Sequence, residues 1–352
     1  MSYEERILAL QIPGADEQAR ADARERWNAV AKPIGSLGLL ETAIERIAAC
    51  TGSADIDISQ RAVIAMCADN GVVEEGVTQT GQEVTALVAE NMARAQSSVC
   101  RMGAVAGAKV FPINIGMAFP APNVRDCRVM DGTNNMTKGP AMSREQAAQA
   151  IWTGVNVVRE LVSQGYRMFA TGEMGIGNTT TSSALASVLL DMDPSVVTGK
   201  GAGLSDEGLM RKVGAIKRAI AVNEPDATDP LDVLSKVGGL DIAGLVGVYL
   251  GAAEARIPVV IDGFISAVAA LIAIRMFPKA KDAMLSSHAS AEPAVKAVLE
   301  AIGLRAPIHA DMRLGEGTGA VCLFPLLDMA LRVYDGTSFS GLGIDAYDTD
   351  LV

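Results

Sequence analysis

Three glycine-rich stretches carry the residues best suited to chemistry. The first, Gly172-Glu173-Met174-Gly175-Ile176-Gly177-Asn178-Thr179-Thr180, follows the apolar run Tyr166 to Thr171 and precedes Thr181-Ser182-Ser183-Ala184, which reads as a helix start. Free backbone N–H groups at a helix N-terminus attract anions, and glycines let a phosphate come close to them. The loop lacks the closing Lys-Ser or Lys-Thr of a Walker A loop and the order of a dinucleotide fingerprint. By spacing alone it is either a phosphate cradle or a tight strand-to-helix turn. The second stretch, Thr198-Gly199-Lys200-Gly201-Ala202-Gly203-Leu204-Ser205, alternates three glycines and reads as a ligand loop or a plain connection. Lys212 follows it and, taken alone, is a solvated lysine. The third, Arg313-Leu314-Gly315-Glu316-Gly317-Thr318-Gly319-Ala320, sets Glu316 between two glycines. A carboxylate exposed in that way can take a proton from a nitrogen or oxygen nucleophile. The plainer reading is a turn glutamate facing solvent.

Other chemistry is limited by supply. Only His288 and His309 are present, and neither stands in a Ser–His–Asp spacing or an HxxxH pair, so no metal site is expected. Asp241 and Asp262 lie at the edges of apolar runs, placed to orient a ligand hydroxyl or to cap a helix. The five cysteines, Cys50, Cys67, Cys100, Cys127 and Cys322, are scattered without a close pair. They read as buried thiols of a protein in the reducing cytoplasm.

The elements that must position these residues alternate. Apolar, strand-like runs start at Ala62 and at Ala108 and recur at Tyr166–Thr171, Ile257–Ile261, Ala283–Leu285 and Pro307–Ala310. Between them lie helical patterns. Ser143 and Gln146 form a capping box before Ile151, Val155, Val158 and Val162 on one helical face, and Gly165 stops that helix. Residues 118–140, rich in Pro, Gly and Asn, read as a long loop. Strand alternating with helix predicts a mainly parallel sheet covered by helices. The polar residues gather after the strands, at Asp69-Asn70, Glu173, Asp262-Gly263, Ser286 to Ser290 and Asp311 to Glu316. In open α/β sheets the ligand crevice lies there.

Composition removes several classes. The chain has 352 residues, 49% of them apolar and 20% charged, which fits a globular protein of about two domains. Its 30 basic and 41 acidic residues give a net charge of −11, and aromatics are 4%, so no nucleic-acid partner is expected. Ile242 to Ala253 and Gly263 to Ile274 fall short of the ~18 residues of a spanning helix, and MSYEERILAL has no signal-peptide core, so no membrane partner is expected.

Seven stretches together resemble the nicotinate-nucleotide–dimethylbenzimidazole phosphoribosyltransferase family across nearly the whole chain. They are KPIGSLGLLE (Lys32–Glu41), CADNGVVEEGV (Cys67–Val77), GEMGIGNTTTSSA (Gly172–Ala184), VLSKVGGLDIAGLVG (Val233–Gly247), IDGFISA (Ile261–Ala267), SHASAE (Ser287–Glu292) and RLGEGTGA (Arg313–Ala320). The resemblance implies a Rossmann-like, mainly parallel six-stranded sheet with helices on both faces. It implies a large domain over 61–324, a small helical domain from 1–60 with 325–352, and a homodimer. It implies transfer of the 5-phosphoribosyl group from nicotinate mononucleotide to 5,6-dimethylbenzimidazole, without cofactor or metal, for cobalamin lower-ligand synthesis. By the same resemblance Glu316 is the catalytic base and Glu173 lies beside it. The phosphate meets Gly175, Gly177, Asn178, Thr179, Thr180, Gly201, Gly203, Lys212 and Ser290, and the acceptor base meets Thr80, Val88 and Leu314. Members vary around 78–88, which leaves other azole, purine or phenolic acceptors as alternatives.

Two rivals are a nicotinamide-dependent dehydrogenase and a non-catalytic nucleotide-binding protein. The first expects G-x-G-x-x-G near the first strand, whereas the Gly172 loop has another order and place. The second needs no base, and the glycine setting of Glu316 argues against it.

Overall fold

A computed structural model of the chain describes residues 1–201 and 203–347. Its six strands are β1 (Arg61–Ala68), β2 (Ala108–Gly116), β3 (Arg125–Asp126), β4 (Met168–Met174), β5 (Val259–Ile261) and β6 (Met284–Ser286). Every pairing is parallel and the order is β3-β2-β1-β4-β5-β6. Parallel neighbours require long crossovers, and the helices that make them cover both faces. Strand β1 shows how one sequence serves two faces: Ala62, Ile64 and Met66 enter one apolar cluster, while Val63 and Ala65 enter the other. The first cluster includes the Arg144–Ser163, Leu240–Glu254 and Gly263–Met276 helices, and the second the Leu39–Thr51 and Thr318–Tyr334 helices.

The apolar stretches weighed as membrane candidates are these sheet-covering helices. Among the described residues no helix is long and apolar enough to cross a membrane. Part of the glycine content also belongs to packing rather than to ligand loops. A Cβ on Gly154 would stand 2.1 Å from the Gly244 carbonyl, and one on Gly247 would stand 1.9 Å from that of Ile151. The Arg144–Ser163 and Leu240–Glu254 helices therefore meet backbone to backbone. The capping box at Ser143 and Gln146 is present as expected.

Two strand expectations change. Residues 118–140 are not wholly loop, since they contain edge strand β3; two exposed polar residues leave no alternation to read. Pro307–Ala310 is not a strand beyond an isolated bridge between Ile308 and His288. The first helix packs in the first cluster through Ile7, whereas later segments from the two ends of the chain meet in the second through Trp27, Val30 and Tyr334. Trp27 lies edge-on to Tyr334 at 5.0 Å, and Val30 bridges Ser338 antiparallel.

Strand order reverses between β1 and β4, each of which continues to its own side of the sheet. A crevice forms outside the carboxyl ends of strands at such a reversal. Asp69-Asn70 and Glu173 stand at those ends.

Candidate active site

The phosphate side is built from three elements. The Asn178–Leu190 helix starts directly after β4, at Gly177 with φ +95°, and has no side-chain cap on its N-terminal N–H groups. The Asp206–Asn223 helix brings Lys212, whose ammonium donates to Thr179 Oγ1 at 2.9 Å and to the Gly199 carbonyl at 3.1 Å. Gly201 lets the loop close over this pair, since a Cβ there would stand 2.9 Å from Thr179 Oγ1 and 3.4 Å from Lys212 Nζ. Lys212 is 1% exposed, which corrects its reading as a solvated lysine. It shares an inward helical face with Gly208, Ala215, Ile216 and Ala219, a placement its own residue type conceals. Burial lowers its pKa to about 8, opposed by the Glu292 charge. The hydroxyls of Thr180 and Ser290 and one oxygen of Glu292 are buried without a partner among the described residues. The Asn178 and Thr180 N–H groups already meet the Gly175 and Gly177 carbonyls, and the helix N-terminus, a buried ammonium and unpartnered hydroxyls together suit a phosphate.

Gly177 has a second constraint. Besides its positive φ, a Cβ there would stand 3.0 Å from Val73 and 3.2 Å from Asn70. A branched side chain at 177 therefore strains the fold before it reaches any ligand, and Lys212 is the cleaner probe of this side.

The carboxylate side adjoins it, since Asn178 at the start of the Asn178–Leu190 helix bonds Glu173. Gly315, Glu316 and Gly317 all have positive φ, at +85°, +63° and +99°. Such a run is open to glycine and strained for Glu316. Close packing holds it: a Cβ on Gly172 of β4 would stand 2.4 Å from the Glu316 carbonyl, and one on Gly315 would stand 2.6 Å from Glu173 Oε1. Asp262, just past β5, accepts the N–H groups of Gly317 and Ala320, each at 3.0 Å, and so caps the Thr318–Tyr334 helix. Of the two readings offered for Asp262, helix capping is correct, although the helix is not the one that follows it in the chain. Glu316 is half-buried, and its Oε2 faces the Val99 N–H at 3.5 Å. Burial raises its pKa, the Val99 N–H lowers it and the Asp262 charge raises it. A carboxylate raised in this way is a better proton acceptor than a solvated one.

Glu173 is buried at the end of β4, and its carboxylate accepts from the Asn178 side-chain amide. The same amide donates to Asp241 Oδ2 at 2.9 Å. Burial and the Asp241 charge push Glu173 up to about 8, and burial pushes Asp241 up to about 7. The unfolded chain releases the Glu173 proton near 4.5, whereas the folded protein keeps it until about pH 8. Folded protein thus binds more protons across that window, and stability falls as pH rises through it. Glu173→Gln should melt above the parent at pH 8 and show no such gain at pH 4, as read by calorimetry.

His288 is buried and held neutral, because burial lowers its pKa against the Asp262 charge. Ser287 lies 3.0 Å from His288 Nδ1 but is fully buried, and its hydroxyl donates to the Ile261 carbonyl at 2.6 Å. A hydroxyl placed there is no nucleophile, so Ser287, His288 and Asp262 form no hydrolytic triad. His309 is exposed. No group of three or more His, Cys, Asp or Glu suited to a metal ion occurs among the described residues.

The acceptor residues are spread over separate elements. Val88 is half-buried on the Glu83–Ala93 helix, while Thr80 and Leu314 are exposed on loops. The neighbouring Gln79 amide donates to the Gly203 carbonyl, which ties the Thr80 loop to the phosphate loop. Ser290 belongs to the Asp262 side, close to Gly263 and His288, and Glu292 two residues on lies against Gly199. The Asn178 amide bridge, the Val99 N–H and the Gln79 tie are absent from the sequence reading. Only Asn178 carries a signal along the chain, its place in the glycine loop.

A phosphoribosyltransferase family profile matches residues 12–343. A protein of Acetivibrio thermocellus named nicotinate-nucleotide–dimethylbenzimidazole phosphoribosyltransferase is 47% identical over 88% of this chain and 89% of its own length. One of the same name from Alkaliphilus metalliredigens is 46% identical over 92% of this chain and 93% of its own length. The crystal structure of CobT from Thermus thermophilus superposes with a TM-score of 0.89 at 37% identity, covering 93% of this chain and 99% of that one.

Proposed function

The chain belongs to the nicotinate-nucleotide–dimethylbenzimidazole phosphoribosyltransferase family, and from that premise we propose how its crevice performs the family's reaction. The enzyme is a pentosyltransferase. It moves the 5-phosphoribosyl group of nicotinate mononucleotide to 5,6-dimethylbenzimidazole, giving α-ribazole 5′-phosphate and nicotinate for the lower ligand of cobalamin.

The donor phosphate docks on the start of the Asn178–Leu190 helix, among Gly175, Gly177, Asn178, Thr179, Thr180, Gly201 and Gly203, with Lys212 as its counter-charge and Ser290 as a further donor. The chain carries a net charge of −11, so this local positive site is what draws an anionic donor in. The pyridinium of the donor is already cationic and leaves without a general acid. The ribosyl carbon becomes oxocarbenium-like, and an azole nitrogen attacks from the opposite face with inversion. The other azole nitrogen loses its proton to Glu316. Thr80, Val88 and Leu314 border the acceptor ring. Holding donor and acceptor in line supplies much of the acceleration.

The observation that carries this reading is Glu316, fixed at φ +63° between two glycines and faced by β4 and Asp262. The direct test mixes the protein with nicotinate mononucleotide and dimethylbenzimidazole and identifies products by chromatography and mass. Appearance of α-ribazole 5′-phosphate supports it, and an unchanged mixture refutes it. Exhaustive treatment with a chelator should leave the rate unchanged, since no step calls for a metal ion; loss restored by one divalent ion would overturn that.

Three coarser expectations join this proposal. The enzyme works as a homodimer, which sedimentation equilibrium reads. It resides in the cytoplasm, which its five unpaired thiols support. The chain ends, 1–60 with 325–352, form a small helical domain beside 61–324, supported by the Trp27–Tyr334 and Val30–Ser338 contacts. Residues 348–352 of that division lie outside the described residues.

A further inference from the structure

We infer that Asp241 is a positioning residue for the transfer: Asp241 and Glu173, bridged by the Asn178 amide, form a carboxyl pair that shares one proton and seats Glu173 beneath the Glu316 turn. The inference rests on the reading of Glu316 as base. Its geometry is independent of that reading.

One amide nitrogen, Asn178 Nδ2, donates to Glu173 Oε2 and to Asp241 Oδ2. Both carboxyl groups are buried, Asp241 completely. Two full negative charges at that separation, away from water, repel strongly, and one proton removes the repulsion. The geometry favours Glu173 as its holder, because the start of the Leu240–Glu254 helix turns backbone N–H groups toward the Asp241 carboxylate, while Glu173 is buried against that charge. Glu173 then carries the effect onward, because its other oxygen packs under Gly315 and the Glu316 N–H faces its carboxylate.

The groups that face this pair are mostly acidic or neutral. Cys67 comes from β1 and Asp69 from just past it, Asp262 from the end of β5, and Glu316 from the Gly315–Gly317 turn. Asp262 in turn faces the neutral His288. Within the described residues no lysine or arginine pairs with Glu173, Asp241 or Asp69, as the hydrogen-bond partners of each are amides, hydroxyls and backbone groups. A proton is therefore the means by which the pair sheds charge. Paired, the two carboxyls meet the cationic sugar with a single shared negative charge, and Glu316 remains the acceptor.

The test compares the parent with Asp241→Asn, Asp241→Ala and Glu173→Gln. Asparagine keeps the acceptor for Asn178 and the side chain's size, and circular dichroism with a melting curve verifies that the variant is folded. It removes the charge that holds Glu173 protonated. The alkaline limb of the kcat profile should move down by about one pH unit in Asp241→Asn, with donor KM within about twofold of the parent. Asp241→Ala should lower kcat about tenfold at every pH, because it also releases Asn178. Glu173→Gln should abolish the limb. Infrared titration gives a readout that needs no turnover: the band of protonated buried carboxyl should vanish about one pH unit lower in Asp241→Asn than in the parent. Equal midpoints in both proteins would overturn the inference. If Glu316→Gln turned over like the parent, the base reading would fall, and the infrared midpoints would still decide the pair.

Discussion

Glu316→Gln lowers kcat about 10²- to 10⁴-fold, the usual contribution of a positioned base. Glutamine keeps the side chain's size and can still face the Val99 N–H through its carbonyl oxygen. It cannot accept the azole proton. The turn is held by backbone contacts with Gly172 and by Asp262, neither of which the substitution touches. Donor affinity should therefore stay within a few-fold, and the loss should fall on kcat. The pH profile adds a signature. Burial raises the Glu316 pKa, so the acidic limb of the parent lies above that of an ordinary carboxylate, and the variant should lose it. Steady-state formation of α-ribazole 5′-phosphate with calorimetric titration of the donor makes both measurements. A variant within a few-fold of the parent would pass the role of base to Glu173, whose own Gln variant is expected to cost less.

Lys212→Met weakens donor binding about 10²-fold, since losing one partner of a buried charge pair costs roughly 2–5 kcal/mol. The parent ammonium is buried and bonded to a hydroxyl and a carbonyl, with no carboxylate in a salt bridge to it among the described residues. Methionine fills the same space without a charge to desolvate, so the variant should be at least as stable as the parent. Here too pH separates the effect from general damage. Burial lowers the lysine pKa to about 8, so parent affinity should decline as pH rises through 8, while the methionine variant stays flat. Affinity within about threefold of the parent would remove Lys212 from the phosphate site.

The mainly parallel sheet and the polar residues at its strand ends are legible in the chain itself. Apolar strand-like runs, the capping box at Ser143 and the gathering of Glu173, Asp262 and Glu316 after those runs are local, and local chemistry writes them in order along the chain. Glycine clusters marked the two loops that meet at Thr179 and Gly201. Local pattern could not tell β3 from the loop around it, because two polar edge residues form a strand only when β2 lies beside them. It offered Pro307–Ala310 as a strand because that run has strand-like residues but keeps a single bridge partner, His288. Above all, it could not decide which charges are buried. Lys212 reads as solvated until its helix is laid against the glycine loop, and Asp241 and Asp262 read as caps or hydroxyl partners until their neighbours are known. Burial, and with it proton affinity, depends on residues far apart in the chain: Asn178 with Asp241, Asp262 with Gly317, Lys212 with Thr179. Residue type supplies a charge, and only the packing around it sets what that charge costs and therefore what it can do.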